Sequence, residues 1–276
     1  VSTGGVDLDD YRRYLAARFA TSTARVRWSV AGEWIRLHPD PAVCTYRDVE
    51  SWLRDRRVAA SSACGLLVAL RAFYRWLQRE GLAASDPTTI ADRPRVPRRI
   101  PRPAGERDVG RLLQTDDVRL RALFALMACA GLRCVECSRL DWADVDLEAA
   151  TVIVNGKGAR ERLVSLSPDV ARTVTALRLL ASSRVGPVFV GPSGGRLQPW
   201  RVSQLVNDSM RAAGVAATAH QLRHRCATAA LQVPGADLLA VRDLLGHASV
   251  ATTQLYTACL PERTAATSRA LGIPAA

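Results

Sequence analysis

The apolar positions of this chain recur at helical spacing over most of its length. Residues 7–84 read as helix. The clearest segment is 61–80, where Leu66, Leu67, Leu70, Phe73, Tyr74 and Leu77 form one apolar face. Arg71, Arg75 and Arg79 stand four apart on the opposite face. Guanidiniums at one-turn intervals suit either a row of phosphates or plain solvent. The pattern stops near residue 91, where Pro94, Pro97, Pro101 and Pro103 alternate with Arg93, Arg95, Arg98, Arg99, Arg102 and Arg107. Proline ends helices and stiffens an extended chain. The spacing predicts a helical first domain over 1–88, a basic linker over 89–107 and a second domain over 108–276.

In that second domain Leu120, Leu123, Phe124 and Met127 mark a buried helix, broken at Gly131. Residues 151–154 alternate weakly and are rich in β-branched types, Asn155-Gly156 is a hairpin signal, and 162–166 reads as the returning strand. Helices follow over 169–181, 201–213, 220–231 and 236–245, the last stopped by Gly246. Ser249 is placed to cap a final helix that carries Tyr256. There is no internal repeat. The expected fold class is mainly α with a small antiparallel β-sheet.

Charge narrows the partner. The 276 residues carry 38 basic against 26 acidic side chains, a net charge of +12. Such an excess favours a polyanion, above all nucleic acid, over a merely solvated basic surface or an anionic membrane surface. No apolar run approaches the ~18–20 residues of a membrane span. Residues 1–10 are polar and acidic, unlike a signal peptide, so a cytoplasmic protein is the simplest expectation. Of the basic residues only Lys157 is lysine. Guanidinium keeps its proton where an ammonium can release one; the single lysine reflects either that need or arginine-rich codon bias. The seven cysteines are dispersed and odd in number, as reduced buried thiols would be. Cys134 and Cys137 form one C-x-x-C, but no second pair has zinc-like spacing. A mixed site with His220 and His224, one turn apart, is conceivable; no metal and no cofactor are expected.

Three stretches carry chemistry. They are Gly131-Leu132-Arg133-Cys134-Val135-Glu136; His220-Gln221-Leu222-Arg223-His224; and Leu244-Leu245-Gly246-His247 followed by Thr252-Thr253-Gln254-Leu255-Tyr256. Asn155-Gly156-Lys157-Gly158 lies between the first two. In order, spacing and flanks, the second domain from Gly131 to Thr257 resembles the tyrosine recombinase family, which includes phage integrases and chromosome-dimer resolvases. The resemblance is looser over the first domain, which would be the family's core-type DNA-binding domain. Because the sequence begins almost at that domain, the expected type is the simple one without an arm-binding domain.

The resemblance implies a catalytic set of Arg133, Lys157, His220, Arg223, His247 and Tyr256. Tyr256 would be the nucleophile, forming a 3′-phosphotyrosine. Arg133 and Arg223 would grip the phosphate, which suits the two-pronged guanidinium. His220 would donate to the phosphate or accept the tyrosine proton, and His247 would be a second donor. Lys157 would protonate the leaving 5′ oxygen. Glu136 either orients the arginine and histidine or forms a plain structural salt bridge. His224 reads as structural, and His38 gets no role. Further DNA contacts are expected from Arg71, Arg75, Arg79, Arg95, Arg98 and Arg99. The tail from Pro261, with Leu271 and Ile273 as apolar anchors, would dock on a neighbouring protomer or fold back on its own domain. The expected partners are double-stranded DNA with specific core sites and three further copies of the chain in a synaptic tetramer, for phage or mobile-element integration. The alternatives are a chromosome or plasmid dimer resolvase, a type IB-like topoisomerase and a DNA-binding regulator with inert chemistry.

Overall fold

A computed structural model of the chain describes residues 6–97, 102–156, 161–247 and 249–257. The chain divides into two compact units, Val1–Arg98 and Arg99–Ala276.

The first unit holds four α-helices among its described residues: α1 (Leu8–Arg18), α2 (Thr21–Leu37), α3 (Tyr46–Asp55) and α4 (Ala60–Arg79). Helix starts are fixed by short polar side chains. The Asp7 carboxylate accepts from the Asp9 amide at 2.8 Å, and Asp48 accepts from the Thr45 amide at 2.7 Å in a capping box. The apolar face expected on 61–80 is the buried face of α4: Leu67, Leu70, Phe73, Tyr74 and Leu77 are all buried, packing with Tyr11, Trp34 and Val49. The Tyr74 hydroxyl is the polar centre of this core. It accepts from Trp34 Nε1 at 3.0 Å and donates to the Pro41 carbonyl at 3.0 Å.

The second unit is built on α5 (Glu106–Leu113), α6 (Val118–Ala128), α7 (Cys134–Arg139), a three-stranded sheet and α8 (Pro168–Leu180), α9 (Pro199–Ala212), α10 (Ala219–Gln232), α11 (Leu238–Leu245) and α12 (Val250–Thr257). Helix α6 is the core helix; every residue from Ala122 to Ala128 is buried. The sheet runs β1 (Val145–Asp146), β2 (Thr151–Asn155), β3 (Glu161–Ser165), antiparallel throughout. Val152 faces Val164 across β2 and β3. These two and Val154 turn inward, while Ile153 and Leu163 face outward. The two-residue β1 and the six-residue α7 are too short to announce themselves by periodicity. Gly246 ends α11 in the left-handed conformation, φ 59°. Ser249 Oγ accepts from the Ala251 amide at 3.2 Å at the start of α12.

Replacing Tyr74 with Phe leaves the Trp34 indole N–H and the Pro41 carbonyl without their buried partner. The Tyr74→Phe chain should lose about 1–3 kcal/mol of stability, read by urea unfolding of the full chain; an unchanged midpoint would show that water replaces the hydroxyl.

Candidate active site

The site is organised around a buried carboxylate. Glu136 sits in the first turn of α7, 3% exposed. Its Oε2 accepts from the Arg133 amide at 2.8 Å, and its Oε1 takes a hydrogen bond from the Arg133 guanidinium at 2.6 Å. Arg162 on β3 grips the same carboxylate with both prongs, at 3.0 and 2.9 Å, while its Nε donates to the Leu244 carbonyl at 2.9 Å. Arg223 on α10 lies 3.8 Å from Glu136 Oε2 and donates to the carbonyls of Gly131 and Leu245. Three helices and the sheet are therefore joined through side chains within a few ångströms of one another.

Two glycines make this approach possible. Gly131 has φ +70°, and a Cβ there would stand 2.8 Å from Leu245 Cδ2. At Gly246 a Cβ would stand 2.8 Å from Arg162 Nη1. A larger residue at either position would crowd those side chains and strain a left-handed backbone.

The charges do not cancel. Burial alone would raise the Glu136 carboxyl, but hydrogen bonds from Arg162 and the Arg133 amide, with both arginine charges, hold it down at about 2. Burial, then the neighbouring Arg133, lowers Arg223 to about 10, still protonated at neutral pH. Three guanidiniums thus meet one carboxylate, which leaves two positive charges to be matched. A cleft of about 340 Å³ opens beside them, lined by Arg133, His220 and Arg223 with Ser203, Asn207 and Thr218. Its charge and donors suit an oxyanion such as a phosphodiester.

Tyr256, on α12, is buried against Cys226, Val241 and Leu245. Its hydroxyl lies 2.6 Å from Nδ1 of His224, and its ring lies parallel to that of His247, 12° between planes and 6.0 Å between centroids. Nδ1 of His247 is held 2.9 Å from Thr253 Oγ1. The ring of His220 meets that of His224 edge-on at 4.3 Å. Burial first, then neighbouring positive and histidine side chains, lowers both His224 and His247 to about 4, so both are neutral at pH 7.

The second unit therefore brings Arg133, Glu136, His220, Arg223, His247 and Tyr256 into one continuous cluster, although residues 133 and 256 are far apart in sequence. Lys157 lies outside the described residues, as do Arg98, Arg99 and the tail from residue 258. Two members of the cluster were not anticipated. Arg162 was read only as part of a strand; its signal is that it shares the inward face with Val164, where an arginine needs a buried partner. His224, read as structural, instead touches the Tyr256 hydroxyl. The row expected on α4 is not uniform. Arg71 is half-buried and bonded to Thr88, with Nε 3.3 Å from its Oγ1, so it is committed to holding the loop after α4. Arg75, Arg79 and Arg95 remain exposed. Burial raises the Cys134 and Cys137 thiols. No group of three or more His, Cys, Asp or Glu among the described residues is arranged to hold a metal ion. None of the described helices is long and apolar enough to cross a membrane.

Residues 106–263 match the phage integrase family. Among similar proteins, the tyrosine recombinase XerC of Rhodospirillum centenum is 36% identical over 225 residues; the match covers 75% of this chain and 65% of that protein, just under two thirds of its length. The tyrosine recombinase XerD of Mycobacterium leprae is 32% identical over 277 residues, covering 91% of this chain and 84% of that protein. The fold is also that of lambda integrase. A dimer of it bound to a COC′ core site has a TM-score of 0.73 at 18% identity, covering 90% of this chain and 93% of that one. A tetramer bound to a Holliday junction gives 0.71 at 19% identity, covering 88% and 76%. The chain belongs to the phage integrase family, as a tyrosine recombinase of the Xer and integrase type. The members of this class are DNA strand-exchange enzymes.

Two measurements probe the cluster. Glu136→Gln removes the negative charge that three guanidiniums share and should destabilise the chain by about 3–5 kcal/mol, read by urea unfolding. His224 and His247 titrate near 4 when folded and about 6.5 when unfolded. As pH falls below ~6.5 the unfolded chain binds those protons first, so the stability these histidines contribute is present above that value and is lost toward pH 4. The melting temperature should fall between pH 6.5 and 5, and the double variant His224→Asn/His247→Asn should flatten that slope.

Proposed function

We propose that Tyr256 attacks the phosphorus of one DNA strand inside the cleft between Arg133 and Arg223. The phenol proton passes through His220 to solvent, the phenol oxygen bonds to phosphorus, and the bond to the 5′ oxygen of the next nucleotide breaks. A 3′-phosphotyrosine and a free 5′ hydroxyl result once that oxygen is protonated. Lys157, at the β2–β3 connection, supplies that proton. The pentacoordinate state carries one negative charge more than the diester, which the uncompensated guanidiniums and the donors His220 and His247 balance. One such preorganised donor is typically worth ~10²–10³ in rate. Glu136 and Arg162 act on the phosphate only through the arginines they hold. The step needs neither metal nor ATP, because guanidiniums neutralise the phosphate and the ester conserves the energy of the broken bond. Attack by a new 5′ hydroxyl on the phosphotyrosine reseals the strand and releases Tyr256.

The observation that carries this reading is the convergence of Tyr256 with Arg223, Arg133 and two neutral histidines in one unit. Exchange between two duplexes requires four cuts, one per strand, and each chain has one such tyrosine. A tetramer on paired specific sites is therefore the working assembly, in keeping with the junction-bound tetramer of lambda integrase. Of the expected roles, chromosome dimer resolution is preferred here over phage or mobile-element integration, a reading supported by the relatives named XerC and XerD. Arg75, Arg79 and Arg95, with Arg98 and Arg99, contact the DNA backbone in this reading, so binding weakens steeply with salt.

Tyr256→Phe should form no covalent DNA adduct on denaturing gels while still retarding DNA; adduct formation by this variant would sink the mechanism. Lys157→Ala should cleave about 10²–10⁴-fold more slowly and recover on DNA whose 5′-bridging oxygen is sulfur, a leaving group that needs no proton. Deleting the gene should make dimers of the host's replicons accumulate. Unchanged monomers, with an integrated element no longer mobilised, would return the role to integration.

A further inference from the structure

We infer that His224 is a positioning residue for Tyr256: its Nδ1 accepts the hydrogen bond of the phenol and aims the attacking oxygen at the edge of the arginine-lined cleft. This deepens the assignment of Tyr256 as nucleophile and rests on it.

The geometry separates two tasks. A phenol ring on a short helix has two torsions to fix before its oxygen can meet a phosphorus atom. His247, itself tied to Thr253, lies parallel to the Tyr256 ring and restricts its plane. His224 approaches on another side, with its ring 5.1 Å from that of Tyr256 and its Nδ1 2.6 Å from the hydroxyl, and so fixes the direction of the oxygen. His224 is the neighbour of Arg223 in α10 and lies one turn after His220. The helix that supplies two groups of the cleft therefore also holds the oxygen that must reach it.

A neutral imidazole has one acceptor nitrogen and one donor, and a phenol has one proton to give. His224 is kept neutral by burial, then by its neighbours His220 and Arg223; the inferred bond uses the tautomer in which Nδ1 accepts and the ring proton resides on Nε2. Holding the oxygen in this way removes, before DNA arrives, orientational freedom that would otherwise be lost during the reaction. A misplacement of about 1 Å in a reacting group can cost ~10²-fold. The bond asks only for an acceptor at the position of Nδ1. Asparagine places its Oδ1 close to that position and cannot titrate near neutral pH; leucine keeps the bulk and offers no acceptor.

The test uses the full chain and a nicked duplex that the wild-type enzyme converts to covalent adduct. His224→Leu should form adduct about 10²-fold more slowly, with DNA retardation and melting temperature near those of the wild type. His224→Asn should recover most of that loss. Wild-type rate in the leucine variant would overturn the inference, and so would an asparagine variant as slow as the leucine one, which would point to proton uptake by the imidazole instead. If His224→Leu fails to fold, the imidazole ¹⁵N spectrum of the free protein decides. The Nδ1 resonance of His224 should carry the signature of an accepting nitrogen and shift in Tyr256→Phe; no shift overturns the inference. Adduct formation by Tyr256→Phe itself would count against the nucleophile assignment, and is read separately on the same gel.

Discussion

One buried carboxylate holds the second unit's chemistry in place. Glu136 collects the Arg133 amide, the Arg133 guanidinium and both prongs of Arg162, with Arg223 just beyond hydrogen-bond reach. Without it, three guanidiniums would have to share a partly dry space with nothing between them. With it, they are close together, fixed in direction and still undercompensated. A single acidic residue among three basic ones thus serves stability and the binding of an anion at once. The protein supplies enough negative charge to assemble the site and leaves the remainder for whatever enters the cleft.

Arg162 shows how the sheet takes part. By bonding to both Glu136 and the Leu244 carbonyl, it ties β3 to α7 and to the end of α11, immediately before Gly246 and His247. The sheet is thereby fixed against the arginine cluster, a use of a second layer of hydrogen bonds to set the first. The histidines complement it. Kept neutral by burial and nearby positive charge, they can donate or accept hydrogen bonds without adding to a charge excess already present.

The two units use arginine differently. In the first, Arg71 is anchored to Thr88 and stabilises a turn, whereas Arg75 is exposed and Arg79, also exposed, lies over the Tyr14 ring. In the second, Arg223 is almost wholly buried and held by backbone carbonyls. Residue type and helical spacing were the same in kind at these positions, and only the packing separates an anchoring guanidinium from an available one.

Much of this was written in the sequence. Helical periodicity located α4 and the long helices of the second unit, because burying one face of a helix imposes a repeat of 3.6. The β-branched run at 151–154 and the returning run at 162–166 marked two strands, and Gly246 marked a helix end, because strands and left-handed caps restrict which residues fit. The motifs around Arg133, Arg223, His247 and Tyr256 identified the family, because the chemistry fixes both residue type and local flanks. The contacts between those motifs were not legible. That Arg162 grips Glu136, that His224 meets the Tyr256 hydroxyl and that Arg71 is consumed by Thr88 all depend on which elements pack together across 26, 32 and 17 residues of chain. Such pairings are decided by the shape of the assembled core, and a one-dimensional pattern of polar and apolar positions carries no record of it.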